Sequence, residues 1–187
     1  MTDGTRQRMI DAAIPLLERK GLAAMSFTDV LAASGAARGG IYHHFPGGKL
    51  QLAEEAARWN GEQIAGYMRA LTGSNPLEVL DSFLEGIRPA VEQSTRGAGC
   101  AVAAITVNGA TDQQGQVALG RVANAAFASW QQVLAEKFEG AGMEPERSAE
   151  FAALLVVTLE GSHTLSRAAG SLEPFESAAA ALRRMLH

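Results

Sequence analysis

The twelve residues from Arg38 to Lys49 hold an arginine, a tyrosine, two adjacent histidines and a lysine. Guanidinium, phenol and ammonium groups donate hydrogen bonds to phosphate oxygens, and arginine can also fork onto the O6 and N7 of guanine. Each has a plainer reading. Arg38 and Lys49 can be solvated surface charges, and Tyr42 can be a core aromatic. Gly47-Gly48-Lys49 has the look of a phosphate-binding loop but fails its pattern. That loop needs a glycine where His43 stands and a serine or threonine where Leu50 stands. His43 and His44 are neighbours on a helix and point about 100° apart, so they do not chelate one metal together.

Other chemistry is sparse. The chain has one cysteine, Cys100, and four histidines, so neither an internal disulfide nor a zinc cluster is expected. Gly97-Ala98-Gly99 lacks the third glycine and the preceding strand of a dinucleotide site. No paired carboxylates and no nucleophile with a base emerge. No catalytic residue, metal or cofactor is therefore expected. His163 lies between Ser162 and Thr164 in an otherwise apolar run, and reads as a satisfied core or interface histidine or as a ligand contact. Asn108, Glu160 and Thr164 are further polar candidates.

The elements that must position these groups are helices. Alanine occurs 35 times and period-two alternation is rare, which favours an all-α fold. A first helix is expected from Thr5 to Lys20, with Met9, Ile10, Ala13, Ile14 and Leu17 as its apolar stripe and Gly21 as its stop. Pro15 inside it predicts a kink. Ser26-Phe27-Thr28-Asp29 is a capping box. It opens a short helix that Gly35 closes. A second short helix is expected from Ala37 to His44, with Ile41 and Phe45 facing the core, and Pro46 ends it. Two short helices joined at a glycine after a longer one suit a helix-turn-helix, and equally an ordinary helical hairpin. On spacing alone both stay open.

The rest predicts helices from Gly48 to Leu71, from an Asn75 cap with Pro76 first to Gln93, a short one ending at Asn108, then one to Phe138, one from Pro145 to Ala169, and one from Pro174 to Leu186. Trp59, Tyr67, Phe83, Phe127 and Trp130 are expected in the core. Residues 1–52 carry six lysines or arginines against four acids, a net +2, while the whole chain is −4, so the remainder is −6. A mildly basic head on an acidic body suggests an anionic partner for the head alone. No run of about 18 apolar residues is free of charge, so no membrane span is expected. The N-terminus leads straight into a charged amphipathic segment, so the expected location is cytoplasmic.

The run from Ser26 to Phe45, SFTDVLAASGAARGGIYHHF, followed by Lys49, resembles the DNA-binding domain of the tetracycline-repressor (TetR) family. Gly99-Cys100 before an alanine-rich short helix, and Leu159-Glu160-Gly161, resemble the LmrA/YxaF-type C-terminal subgroup. The resemblance implies an all-α protein with a three-helix DNA-binding domain over 1–52 and a helical effector-binding and dimerisation domain over 53–187. It implies a ligand-responsive regulator, usually a repressor, that binds palindromic double-stranded operator DNA as a homodimer through its last two helices.

DNA contacts are carried onto Ser26, Thr28, Ala37, Arg38, Gly39, Gly40, Tyr42, His43 and Lys49, with Tyr42 as a phosphate donor. The sequence departs from the family at Ala37, where a capping serine or threonine is common, at Gly40, where threonine is frequent, and at Pro15. The apolar body suggests a hydrophobic or aromatic effector, with Thr106, Trp130 and His163 as lining candidates. The alternatives are a constitutive DNA binder without an effector, and a helical enzyme or carrier.

Overall fold

The computed structural model describes residues 2–107 and 113–186, and within them there is no strand. The helices are α1 (Thr2–Ala24), α2 (Phe27–Ser34), α3 (Ile41–His44), α4 (Gly48–Arg69), α5 (Pro76–Ser94), α6 (Ala101–Ala104), α7 (Gln113–Gly140), α8 (Pro145–Ala169) and α9 (Glu173–Arg184), with a 3-10 turn over Arg38–Gly40. They form two compact units. The first is Met1–Glu62 with Cys100–Ala126, and the second is Gln63–Gly99 with Phe127–His187.

In the first unit α1 packs against α2 and α6. Met9, Ile10, Ala13, Leu17, Leu22, Met25, Val30, Ile41, Phe45 and Leu52 are buried, so four of the five residues of the expected α1 stripe meet the core, and Ile14 is half-buried. Pro15 does not end α1. The non-helical residue inside the span is Gly21, at φ 69° and ψ 172°. Only glycine adopts that backbone cheaply, which is why the break falls there and not at the proline. A Cβ on Gly61 would meet the Ala126 Cβ at 3.0 Å, so a glycine lets α4 and α7 approach closely.

In the second unit α8 packs on α5 and α9, and α5 also meets α9. Leu80, Phe83, Leu155 and Phe175 on these helices are buried, and so in the same unit are Met68 of α4 and Trp130, Leu134 and Phe138 of α7. Phe138 meets Phe151 edge to face at 5.1 Å, and Phe127 meets Trp130 at 5.2 Å. The start of α5 follows its sequence. Asn75 Oδ1 accepts the Glu78 amide at 3.0 Å while the Glu78 carboxylate accepts the Ser74 amide at 2.7 Å. Asp81 pairs with Arg183 at 2.6 Å, and Arg88 pairs with Glu176, tying α9 to α5.

Of the aromatics expected in the core, Phe127 is half-buried and two lie at the surface. Trp59 is exposed, and Tyr67 lies at the surface with its hydroxyl donating to the Ser82 carbonyl at 2.9 Å. Tyr67 explains Gly86, because a Cβ there would collide with the phenol oxygen.

Candidate nucleic-acid interface

The segment that carries Arg38, Tyr42 and His43 is held from behind by α1. At the start of α2, Ser26 Oγ accepts the Asp29 amide at 3.1 Å and donates to Asp29 Oδ2 at 2.9 Å. Lys20 reaches the same carboxylate oxygen at 3.0 Å. The Lys20 hydrogen bond, then those from Ser26, hold the Asp29 carboxyl below its usual range. At the other end, Gly35 closes α2 at φ 65°, and Arg8 Nε donates to the Ser34 carbonyl at 3.3 Å. One long helix therefore grips both ends of the short one. Lys49 Nζ donates to the carbonyls of Leu22 at 3.1 Å and Ala23 at 3.2 Å, where α1 ends and a cation is favoured. Arg6 pairs with Glu55, and its guanidinium lies over the Phe45 ring at 5.2 Å.

The expected second helix is split. Arg38–Gly40 forms a 3-10 turn, and only Ile41–His44 is α-helical. Ala37 supplies no side-chain cap, and two adjacent glycines disfavour a regular helix start. The four-residue α3 nevertheless has two distinct faces. Ile41 and the following Phe45 are buried at 2% and 0% exposure, while Tyr42 is 68% exposed and His43 is exposed beside it. The Tyr42 ring stands edge-on to Phe27 at 5.5 Å, and no described residue hydrogen-bonds its hydroxyl. His44 is half-buried, with its ring 5.3 Å from that of His43 and near Gly40. Ser26, Thr28, Ala37 and Gly39 are exposed on the same segment, and Gly40 is half-buried. The Arg38 side chain lies outside the described residues.

The three effector candidates do not share a unit. Thr106 is exposed in the first unit and donates its hydroxyl to the Ala103 carbonyl at 2.7 Å. Trp130 is fully buried in the second. His163 is buried there too, with Nδ1 2.7 Å from Ser94 Oγ. Burial, and secondarily the Arg167 charge, push its pKa down to about 4, so the ring is neutral near pH 7. Ser94 lies 69 residues away, and nothing in the sequence marks it as a partner. Nor does the sequence foretell Arg8 on Ser34 or Lys49 on the end of α1.

Cys100 caps α6, its sulfur accepting the Ala103 amide at 3.4 Å. Thr164 is exposed and donates to the Glu160 carbonyl at 3.2 Å, and Glu160 is half-buried. Asn108 lies outside the described residues. Among the described residues no group of three or more His, Cys, Asp or Glu is placed to hold a metal, and no helix is long and apolar enough to cross a membrane.

Residues 9–56 match the model of the bacterial regulatory proteins of the tetR family, and residues 76–181 match the C-terminal domain of LmrA/YxaF-like transcriptional regulators. An uncharacterised HTH-type transcriptional regulator of Mycobacterium tuberculosis is 36% identical, over 98% of this chain and 94% of its own length. The HTH-type transcriptional regulator LmrA of Bacillus subtilis is 27% identical over 91% and 90%. In fold, the chain superposes on a TetR transcriptional regulator from Legionella pneumophila with a TM-score of 0.81 at 21% identity, covering 96% of each chain.

Proposed function

The chain belongs to the TetR family of bacterial transcriptional regulators, and on that premise we propose that it is a cytoplasmic, ligand-responsive repressor of palindromic operator DNA and not an enzyme. Residues 1–52 bind the DNA, and residues 53–187 bind the effector and dimerise. The observation that carries the reading is the division of α3, where Ile41 and Phe45 anchor the core while Tyr42 and His43 stand clear of the protein.

Tyr42 donates to a phosphate, His43 faces the groove, and Arg38 reads a base. Lys49 directs two of its three N–H groups to α1 and keeps one for a phosphate. Ser26, Thr28 and the backbone at Ala37, Gly39 and Gly40 border the contact.

Dimerisation runs through α8 and α9. Leu154, Val157 and Leu165 on α8, and Met185 just after α9, are large apolar side chains left exposed, and a Cβ on Gly161 would meet nothing within 4 Å. An isologous pairing covers such a stripe and presents two recognition segments to a palindrome. Gly161→Arg places a charge in that contact, and sedimentation should give monomers. A wild-type dimer would refute the placement.

The effector is largely hydrophobic or aromatic. Trp130 and His163 are the lining residues retained, while Thr106 is committed to its own helix end. The acidic body repels a polyanion. It acts by binding one state of the protein better than the other, and its leverage is that difference in affinity.

The test begins with selection of duplexes from a random library by the purified protein, followed by anisotropy titrations on the selected and a scrambled duplex. Equal affinities would sink the operator reading. Apolar, aromatic and anionic compounds are then screened for release of the selected duplex. Release by a phosphorylated sugar alone would refute the effector class.

A further inference from the structure

Several glycines of this chain have a reason inside the fold. Gly21 and Gly35 take a left-handed φ, and Gly61 and Gly86 give room to a neighbouring side chain. Gly39 and Gly40 have neither reason. Neither takes a left-handed φ, and Gly40 sits at φ −80° and ψ −23°, which any residue adopts. Beyond its chain neighbours, a Cβ on Gly39 would meet nothing within 4 Å. One on Gly40 would stand 3.7 Å from His44 Cδ2 and 3.9 Å from Met9 Cε, which is ordinary contact. Each position therefore has room for an alanine, and alanine is the better helix former. The glycine pair weakens the start of the recognition segment and returns nothing to the protein's own packing.

The two glycines differ in where they lie. Gly39 is exposed, three and four residues before Tyr42 and His43, the side chains that stand clear of the protein. Residues at those spacings are neighbours on one helix face. Gly40 is half-buried on the side of His44 and Met9. The face that carries Tyr42 and His43 is thus bare backbone at Gly39, and the exposed Ala37 two residues earlier adds only a methyl. A missing side chain lets another surface come closer to the backbone. Base edges are the surface that gains from this, because they form the floor of the groove. Phosphates stand at its rim, where long side chains reach them.

We propose that Gly39 is a specificity-determining residue of the DNA contact: its bare backbone seats the recognition segment against the base edges, and any side chain there holds the segment off. This rests on the DNA-binding reading above and deepens it. The consequence is a pair of effects of opposite sign. Alanine in place of glycine, where the backbone suits it, stabilises a fold by narrowing the unfolded ensemble. Gly39→Ala should therefore make the protein more stable and its operator complex weaker. A residue that only shaped the fold would move both in one direction.

Melting temperatures, with anisotropy titrations on the selected and the scrambled duplex, read both effects. Gly39→Ala should melt no lower than wild type and bind the selected duplex about fivefold or more weakly, as for one spoiled base pair. Its affinity for the scrambled duplex, which rests on phosphates, should stay near that of wild type. Gly39→Leu should widen the gap between the duplexes. Gly66→Ala is the control. Gly66 is exposed on α4, in the second unit, with nothing within 4 Å of a Cβ. That variant should gain stability and leave operator affinity unchanged.

A folded Gly39→Ala protein with wild-type or tighter affinity for the selected duplex overturns the inference, because a side chain then fits in the complex. An equal loss on both duplexes overturns it too, since that marks a phosphate contact. An equal loss in Gly66→Ala would trace the effect to stiffening, and a melting temperature below wild type in Gly39→Ala would return the glycine to the fold. Either overturns the inference and leaves the regulator reading standing. A wild-type protein that selects no duplex overturns the regulator reading, and the inference falls with it.

Discussion

The two units differ in the polar side chains they bury: among the described residues, Ser34 in the first, and Ser94, Ser148, Ser162, His163 and Ser166 in the second. In the first, charged side chains stay at the surface and bond to helix ends. Lys20 and Ser26 sit at the start of α2, Arg8 at its last carbonyl, and Lys49 at the end of α1. Exposed pairs of this kind are typically worth 1 kcal/mol or less each, so they aim the short helices more than they hold the unit together. Stability there comes from the apolar side of the same helices. In the second unit a histidine is buried against a serine, which ties its protonation to folding. The lesson is that the first unit should be vulnerable to cavities and the second to acid.

The largest expected effect tests the first half of that contrast. Phe45 is 0% exposed, and its ring also carries the Arg6 guanidinium at 5.2 Å. Phe45→Ala should cost about 3–5 kcal/mol in urea unfolding, as for buried phenylalanine generally. Hydrogen exchange should place the loosening in α1 to α3, with α8 and α9 unaffected. A loss under about 1 kcal/mol would mean that the surface clamps, and not the core, carry the unit.

Acid should act on the second unit. The folded pKa of His163 is lowered to about 4 from an ordinary 6.5, so between those values the unfolded chain binds the extra proton. Stability is therefore complete above about pH 6.5, falls as the pH drops toward 4, and levels off below. The loss approaches about 3 kcal/mol at the lower end, since each tenfold difference in proton affinity between the folded and unfolded chains is worth about 1.4 kcal/mol. Urea midpoints from pH 7.5 to 4 should show the fall in wild type and a shallower one in His163→Gln. Identical profiles for the two proteins would show that the ring is free to ionise where it sits.

How far the sequence foretold these sites follows the range of the interaction. Ser26, Gly35, Asn75, Pro76 and Pro145 act on residues three or four away, and the helices they start or stop lie where their types place them. The core face of α3 was equally legible, because Ile41 and Phe45 are one turn apart. Pro15 lies within α1, and the non-helical backbone that the span contains falls at Gly21, where a glycine takes φ 69° at little cost. Trp59 is exposed because phase along the helix outranks residue type: it stands off the stripe of Ala53, Ala57, Gly61, Ala65 and Met68 that α4 buries. The pairing of Ser94 with His163, and of Ala98 with Arg167, spans 69 residues and depends on how α5 meets α8. No local pattern encodes it.

The smallest expected effect isolates function from stability within α3. Tyr42 is 68% exposed, no described residue bonds its hydroxyl, and its ring rests against Phe27. Tyr42→Phe removes the hydroxyl and keeps the ring contact, so the melting temperature should stay within a degree or two of wild type, as for a surface change within about 0.5 kcal/mol. Operator binding should weaken by about 1 kcal/mol, the usual worth of one hydrogen bond, or roughly fivefold. Because a phosphate contact carries no sequence information, the loss should be similar on the selected duplex and on a scrambled one. A loss confined to the selected duplex would make Tyr42 a base reader. A loss of stability would mean that the hydroxyl is tied within the protein. Either result would end the contrast between a face of α3 that holds the fold and a face that meets DNA.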